Sequence, residues 1–247
     1  SDETLRDFGE RLTYLRNLEA RKEEVKTSIE NQGKLTDEIV ANLENAKTLA
    51  EVEDIYRPYK QKKKTRATVA KAKGLEPLAD IIIAQEEKKD INEIAQEFVN
   101  IDNLSDEDKN NKDKVVATAE DAIQGALDII AENISDNAKY RKYIKKICYR
   151  EGTIVTKSAK PDEKSNYEMY YEFAELVHKL PSHRILAINR AEKENAIKLK
   201  IQKPEENIID FIERDVIKDK NSNYANILED TVEDSFKRLI EPSVERE

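Results

Sequence analysis

Between Thr4 and Asn31 the sequence carries no Pro, and Leu5, Phe8, Leu12 and Leu15 follow one another at steps of three and four, with Val25 and Ile29 further on. Residues so spaced share one side of a 3.6-residue helix but scatter over both faces of a strand, so the stretch predicts one long helix with an apolar stripe. Only five Gly and six Pro interrupt 247 residues, and hydrophobic and charged residues each make up 38%. That balance is what helices with one buried and one solvated face require, and the regular recurrence of Ile, Leu and Val excludes a disordered chain. The length suffices for one large core or two smaller ones.

Local signals divide the chain further. Gly33 supplies a left-handed helix end, and Thr36 with Asp37 and Glu38 opens a second helix. Thr48 and Glu51 form a T-x-x-E box for a third, which Pro58 ends near Tyr56 by removing a donor and disfavouring helix at Arg57. Thr65 can cap "RATVAKAK", Gly74 can end it, and Pro77 sits in the first turn of "EPLADIIIAQEEKK". Two short helices joined by a tight Gly turn give a helix-turn-helix pattern.

"DNLSDEDKNNKDK" is polar and loop-like, with Ser105 able to start a helix. In "VVATAEDAIQGALDIIAENI", Ala119, Ile123, Ala126 or Leu127, Ile130 and Ile134 share a face, and Gly125 among small residues suggests close helix packing. Past Gly152 the period changes to two. "TIVTK" and "AIKLKIQ" are expected to pair as strands, with "YEMYYEFAELVHKL" and "SHRILAINRAEKEN" as helices between them. The tail returns to helix, with Pro204 in a first turn, Ile208, Ile212 and Val216 in line, then Leu228, Val232 and Leu239. The expectation is an all-α, multihelical chain with a helix-turn-helix-like element and a small two-stranded β element. Its expected parts are 1–50, a helical arm; 51–135, a helical subdomain with the helix-turn-helix-like unit; and 136–247, helices with the β element, able to pack with 1–50.

The search for catalytic chemistry returns little. No G-x-G-x-x-G, Walker loop or G-x-S-x-G occurs. His178 and His183 lie five apart across Pro181, and Cys148 is thirty residues from the nearer, which is poor spacing for zinc. Ser182 beside His183 reads as a helix N-cap and not as a nucleophile with its base. Among 52 acids, carboxylate pairs at helical spacing arise by chance and specify no acid–base chemistry. The expectation is therefore no enzyme, no metal, no cofactor and no small-molecule substrate. A lone Cys fits a reducing, cytoplasmic setting, and no apolar run is long enough to span a bilayer. The absence of an initiator Met and the abrupt end at "PSVERE" read as cuts in a longer protein.

One stretch departs from the acidic whole. Residues 57–74 hold eight of the 43 basic residues and none of the 52 acids, in a chain of formal charge −9. Such segregation maintains a local positive field within an acidic total. Lys60, Lys62, Lys63, Lys64, Arg66, Lys71 and Lys73 are the candidate phosphate contacts, flanked by Tyr56 and Tyr59. The alternative is a solvated loop balanced by acids from neighbouring helices. Arg184 and Arg190, six apart, are a poorer pair. A weaker basic surface comprises Lys157, Lys160, Lys198, Lys200 and Lys203, whose outward lysines also protect a strand from edge-to-edge pairing.

"DFGERLTYLRNLEARKEEV", "GKLTDEI", "YRPYKQKKKTRATVAKAKGLEPLA", "ALDIIAE" and "PSHRILAINRAEKE" resemble, in order, signatures of the N-terminal region of the Tex-like family of bacterial transcription accessory proteins, relatives of a eukaryotic transcription elongation factor. The resemblance covers nearly the whole chain. It implies a cytoplasmic protein that works with the transcription machinery and binds nucleic acid, RNA or DNA. In that family a multihelical region with a helix-turn-helix element precedes a ribonuclease H-like domain not thought to be a working nuclease, helix-hairpin-helix motifs and an oligonucleotide-binding domain. None of those later parts is in this sequence. Departures from the family pattern are Gln61 where Pro is common, Lys63 and Lys64 where Arg is common, and Ala191 for a frequent Gly. Lys for Arg keeps the charge and loses bidentate geometry, which suits backbone contact more than base reading. The rival role is a protein-interaction scaffold docking on RNA polymerase or on other domains of the same protein.

Overall fold

The structure is a computed structural model that describes residues 1–60 and 64–246. These fall into two compact units, Ser1–Lys63 with Asp136–Ala138, and Lys64–Ser135 with Lys139–Glu247.

In the first unit, α1 (Asp2–Asn31), α2 (Asp37–Asn45) and α3 (Leu49–Tyr56) begin and end where the local signals place them. Gly33 takes φ +70, letting Lys34 N–H reach the Ile29 carbonyl at 3.2 Å and satisfy an otherwise unpaired acceptor. Thr36 Oγ1 accepts from Ile39 N–H at 3.2 Å, and Thr48 Oγ1 from Glu51 N–H at 3.2 Å. Only half of the expected box at Thr48 forms, because the Glu51 carboxylate accepts from Lys47 N–H at 2.7 Å, one residue earlier. The unit's core joins Leu18, Val25 and Ile29 of α1 to Ile39, Leu43, Ala46 and Val52, with Tyr14, Tyr56 and Tyr59 packed against it. Arg21 clamps α1 to α3, donating Nε to Glu53 Oε1 at 2.6 Å and Nη2 to Oε2 at 3.2 Å. The single apolar stripe expected on α1 is in fact two. Leu18, Val25 and Ile29 are buried, whereas Leu5 and Phe8 remain 71% and 68% exposed.

The larger core of the second unit gathers residues from Ala67 to Val244. Its helices are α4 (Arg66–Ala72), α5 (Glu76–Ala84), α6 (Ile91–Gln96), α7 (Asp106–Lys109), α8 (Ala119–Asp136) and α9 (Ala138–Glu151), the last carrying buried Tyr140, Ile144 and Ile147. β1 (Thr153–Ser158), β2 (Glu172–Leu176) and β3 (Ile197–Gln202) form an antiparallel sheet of order β2-β1-β3. β1 and β3 pair as expected. The sheet has three strands and not two, because much of the segment expected as the helix "YEMYYEFAELVHKL" is β2, bracketed by single 3₁₀ turns at Glu168–Tyr170 and Val177–Lys179. Tyr and Phe are strand formers as well as helix-face residues, and β1 offers an open edge; Phe173 lies opposite Thr156 and meets the Tyr170 ring edge-on, centroids 5.4 Å apart. Ser182 likewise does not cap: it is the first residue of α10 (Ser182–Lys193), Pro181 holds the cap position, and no side-chain cap bond forms.

The tail forms α11 (Glu205–Val216), α12 (Ala225–Asp234), a π-helical turn Ser235–Ile240 and α13 (Glu241–Glu245). Leu228 and Val232 are buried as expected, but the π turn shifts the register, so Phe236 and Ile240 take the next inward places and Leu239 is only half-buried. Lys203 corrects another expectation. Its side chain is 1% exposed, with Nζ 3.4 Å from Glu241 and 3.8 Å from Glu245 of α13 and 5.8 Å from the Phe236 ring centroid. Lys157, Lys198 and Lys200 do point to solvent.

Candidate nucleic-acid interface

The basic stretch straddles the two units. Lys60 is exposed at the end of the first, Lys64 onward belongs to the second, and Lys62 and Lys63 lie outside the described residues. In the first unit Lys60 borders an 830 Å³ concavity whose wall also carries Glu23, Glu24 and Tyr56. Tyr56 is engaged in packing: its hydroxyl and that of Ser28 are hydrogen-bonded at 2.8 Å, and the Arg21 guanidinium stands 5.4 Å from its ring. The Tyr59 carbonyl accepts from Gln32 Nε2 at 2.7 Å. Both tyrosines thus serve the core of that unit more than an outward stacking platform.

In the second unit the candidates sit on α4 and the turn after it. Thr65 Oγ1 accepts from Thr68 N–H at 3.1 Å, and Thr68 Oγ1 accepts from Thr65 N–H at 2.8 Å, a reciprocal box that uses two donors at the helix start. An approaching anion would meet side chains there more than bare amides. Gly74 takes φ +79 between Ala72, the last residue of α4, and Glu76, the first of α5, a conformation that most side chains resist. Arg66 and Lys71 are exposed and Lys73 is half-buried.

Lys64, Arg66 and Lys73 line a 620 Å³ groove that α4 shares with Lys112, Asp113 and the start of α8, while Lys71 does not line it. The groove is mixed in charge. Lys64 Nζ lies 2.6 Å from Asp113 Oδ2, both side chains at least half exposed, a surface pair worth little energetically. Asp121 and Asp128 also line it, and burial pushes the Asp128 carboxyl above its ordinary range against the opposing pull of Gln124, Arg238 and Arg66. The solvated-loop alternative therefore accounts for one lysine, Lys64, balanced by a neighbouring acid.

Sequence reading missed Lys112, Gln124 and these carboxylates as parts of the groove, although Gly125 was the available signal. A Cβ there would overlap Leu75 Cδ1 and stand 3.3 Å from Ala70 Cβ, so the glycine permits α8 to lie against α4 and the turn beside it. Gly125→Val is accordingly expected to cost about 2 kcal/mol by overpacking. Urea unfolding would measure it, and an unchanged midpoint would show that the packing here yields freely.

Arg184 and Arg190 do not join this surface: Arg184 Nη1 lies 3.4 Å from Glu175 Oε2 and its guanidinium stands 5.7 Å from the Phe173 ring. Cys148 is buried, which pushes its thiol up and away from nucleophilic use. Among the described residues no helix is long and apolar enough to cross a membrane.

A mostly helical chain carrying a capped two-helix unit with a basic edge and a small antiparallel sheet is the class defined by fold and surface. Residues 86–247 match the family model for a Tex central region-like domain. YdcI of Bacillus subtilis is 45% identical over 246 residues, covering 98% of this chain and 33% of that protein. The transcriptional accessory protein Tex of Neisseria gonorrhoeae is 36% identical over 203 residues, and YhgF of Escherichia coli 34% over 204, each match covering 81% of this chain and 25% of the relative. The chain belongs to the Tex family and spans a third or less of the length of these relatives.

Proposed function

We propose that this chain is a non-catalytic scaffold of a cytoplasmic transcription accessory protein, and that α4 and α5 act as a helix-turn-helix-like element contributing nucleic-acid backbone contacts. The observation that carries the reading is the basic edge of α4, where Arg66 and Lys71 are exposed and the flanking Lys64 and Lys73 line the groove. Lys60, Lys62 and Lys63 extend the same run of charge. Family membership supports a role in transcription. The groove carboxylates disfavour a long continuous phosphate track, so contact with a few phosphates and no base-specific reading is the form best supported.

Titration of labelled single- and double-stranded RNA and DNA over a salt series tests this. A Lys64→Glu, Arg66→Glu, Lys71→Glu variant should bind at least about tenfold more weakly at low salt, its salt slope falling by roughly 0.7–0.9 for each phosphate that is no longer neutralised. An unchanged slope in a variant with wild-type circular dichroism would reject the phosphate role. The second reading, docking on RNA polymerase or on other domains of the same protein, is favoured by the Lys64–Asp113 pair, in which the edge accepts a carboxylate as readily as it would a phosphate. It would be left standing by that result.

A further inference from the structure

The exposed row on α1 has no use in the fold. Leu5, Phe8, Leu12 and Leu15 are 71%, 68%, 39% and 40% exposed. They are turned by roughly a third of a turn from the buried side of the same helix, marked by Leu18, Val25 and Ile29. Their spacing is that of consecutive a and d positions in a heptad. The row closes at its C-terminal end, where Lys22 and Glu19 occupy the next such positions and pair at 3.2 Å.

The borders of the row indicate what covers it. Thr4 and Arg11 lie along one side and Gly9 and Arg16 along the other, all exposed, while the acids Glu3, Asp7 and Glu10 fall toward the far side. Arg11 rests over the Tyr14 ring at 5.4 Å and is accessible. A second copy in parallel would set Arg11 against Arg16, and about two heptads fall short of the three or four that sustain a coiled coil by themselves. We propose that the N-terminal half of α1 docks on an amphipathic helix of a partner protein whose apolar seam is bordered by carboxylates. Leu5, Phe8, Leu12 and Leu15 enter the seam, and Arg11 and Arg16 meet the acids. This surface is separate from the basic stretch and goes beyond the function proposed above.

The probe is a labelled peptide of about four heptads with Leu at a and d and Glu at e and g, titrated against the whole chain by fluorescence anisotropy. Binding should weaken with added salt, and should fall roughly tenfold or more for Leu5→Asp with Phe8→Asp. Arg11→Glu with Arg16→Glu should reverse the preference toward the same peptide with Lys in place of Glu. These positions are exposed, so circular dichroism should be unaltered in every variant. No binding of the acidic peptide, or equal binding of both peptides, overturns the proposal. So does a dimer in sedimentation that Phe8→Asp dissociates, which makes a second copy the occupant, or a preference for anionic vesicles over the peptide.

Discussion

Phe236→Ala is expected to lower the unfolding free energy of the larger unit by about 4 kcal/mol, near the top of the range for a fully buried aromatic. The ring is 0% exposed and belongs to the core cluster that includes Leu228, Val232 and Ile240. It reaches that place because Ser235–Ile240 is wound as a π turn, so its loss leaves a cavity beside a backbone already displaced from the ordinary helical path. Denaturant unfolding with an unchanged m-value is the appropriate measurement. A loss below about 1 kcal/mol would mean that the segment rewinds as α-helix and brings Leu239, now half-buried, into the vacated space.

Lys203→Met should cost about 3 kcal/mol, although Met keeps most of the stem. The ammonium faces Glu241 and Glu245, whose side chains are 19% and 24% exposed, and donates to the Ile201 carbonyl at 3.2 Å. Removing the cation leaves two poorly hydrated carboxylates beside an apolar tip. Adding Glu241→Gln and Glu245→Gln to Lys203→Met should recover part of the loss, and the pairwise coupling can be read from the corresponding mutant cycle. Additive losses would show that water already compensates the carboxylates.

These two residues also mark the limit of what the sequence reveals. Helix boundaries at Gly33, Thr36, Thr48, Thr65 and Gly74 are legible because each depends on a contact within about four residues of itself. Lys203 reads as one more outward lysine of an alternating strand, since nothing local announces the two carboxylates from α13. The "YEMYYEF" segment fails for a related reason: its aromatic residues satisfy either period, and the open edge of β1 decides between them. Sequence reading places no element over "AKYRKYIKKICYRE", although buried Tyr140, Ile144, Ile147 and Cys148 of α9 carry a helical spacing among its many cations. At the basic edge, the run of charge is plain in the sequence. The acids that temper it come from α8 and from Asp113, well beyond the run itself, and only the close approach at Gly125 brings them in.

The two cores differ in how much chain they need. The first draws its buried residues from Leu18 to Val52, whereas the second spans Ala67 to Val244. During synthesis the first can therefore close once its three helices have left the ribosome, through short loops of modest entropic cost. Leu78, Ile82 and Ile129, all 0–1% exposed in the finished fold, must wait for Leu228, Phe236 and Ile240 to emerge. For much of its translation the nascent chain thus carries one finished body and one sticky, incomplete one, which makes the second unit the part that depends on chaperones.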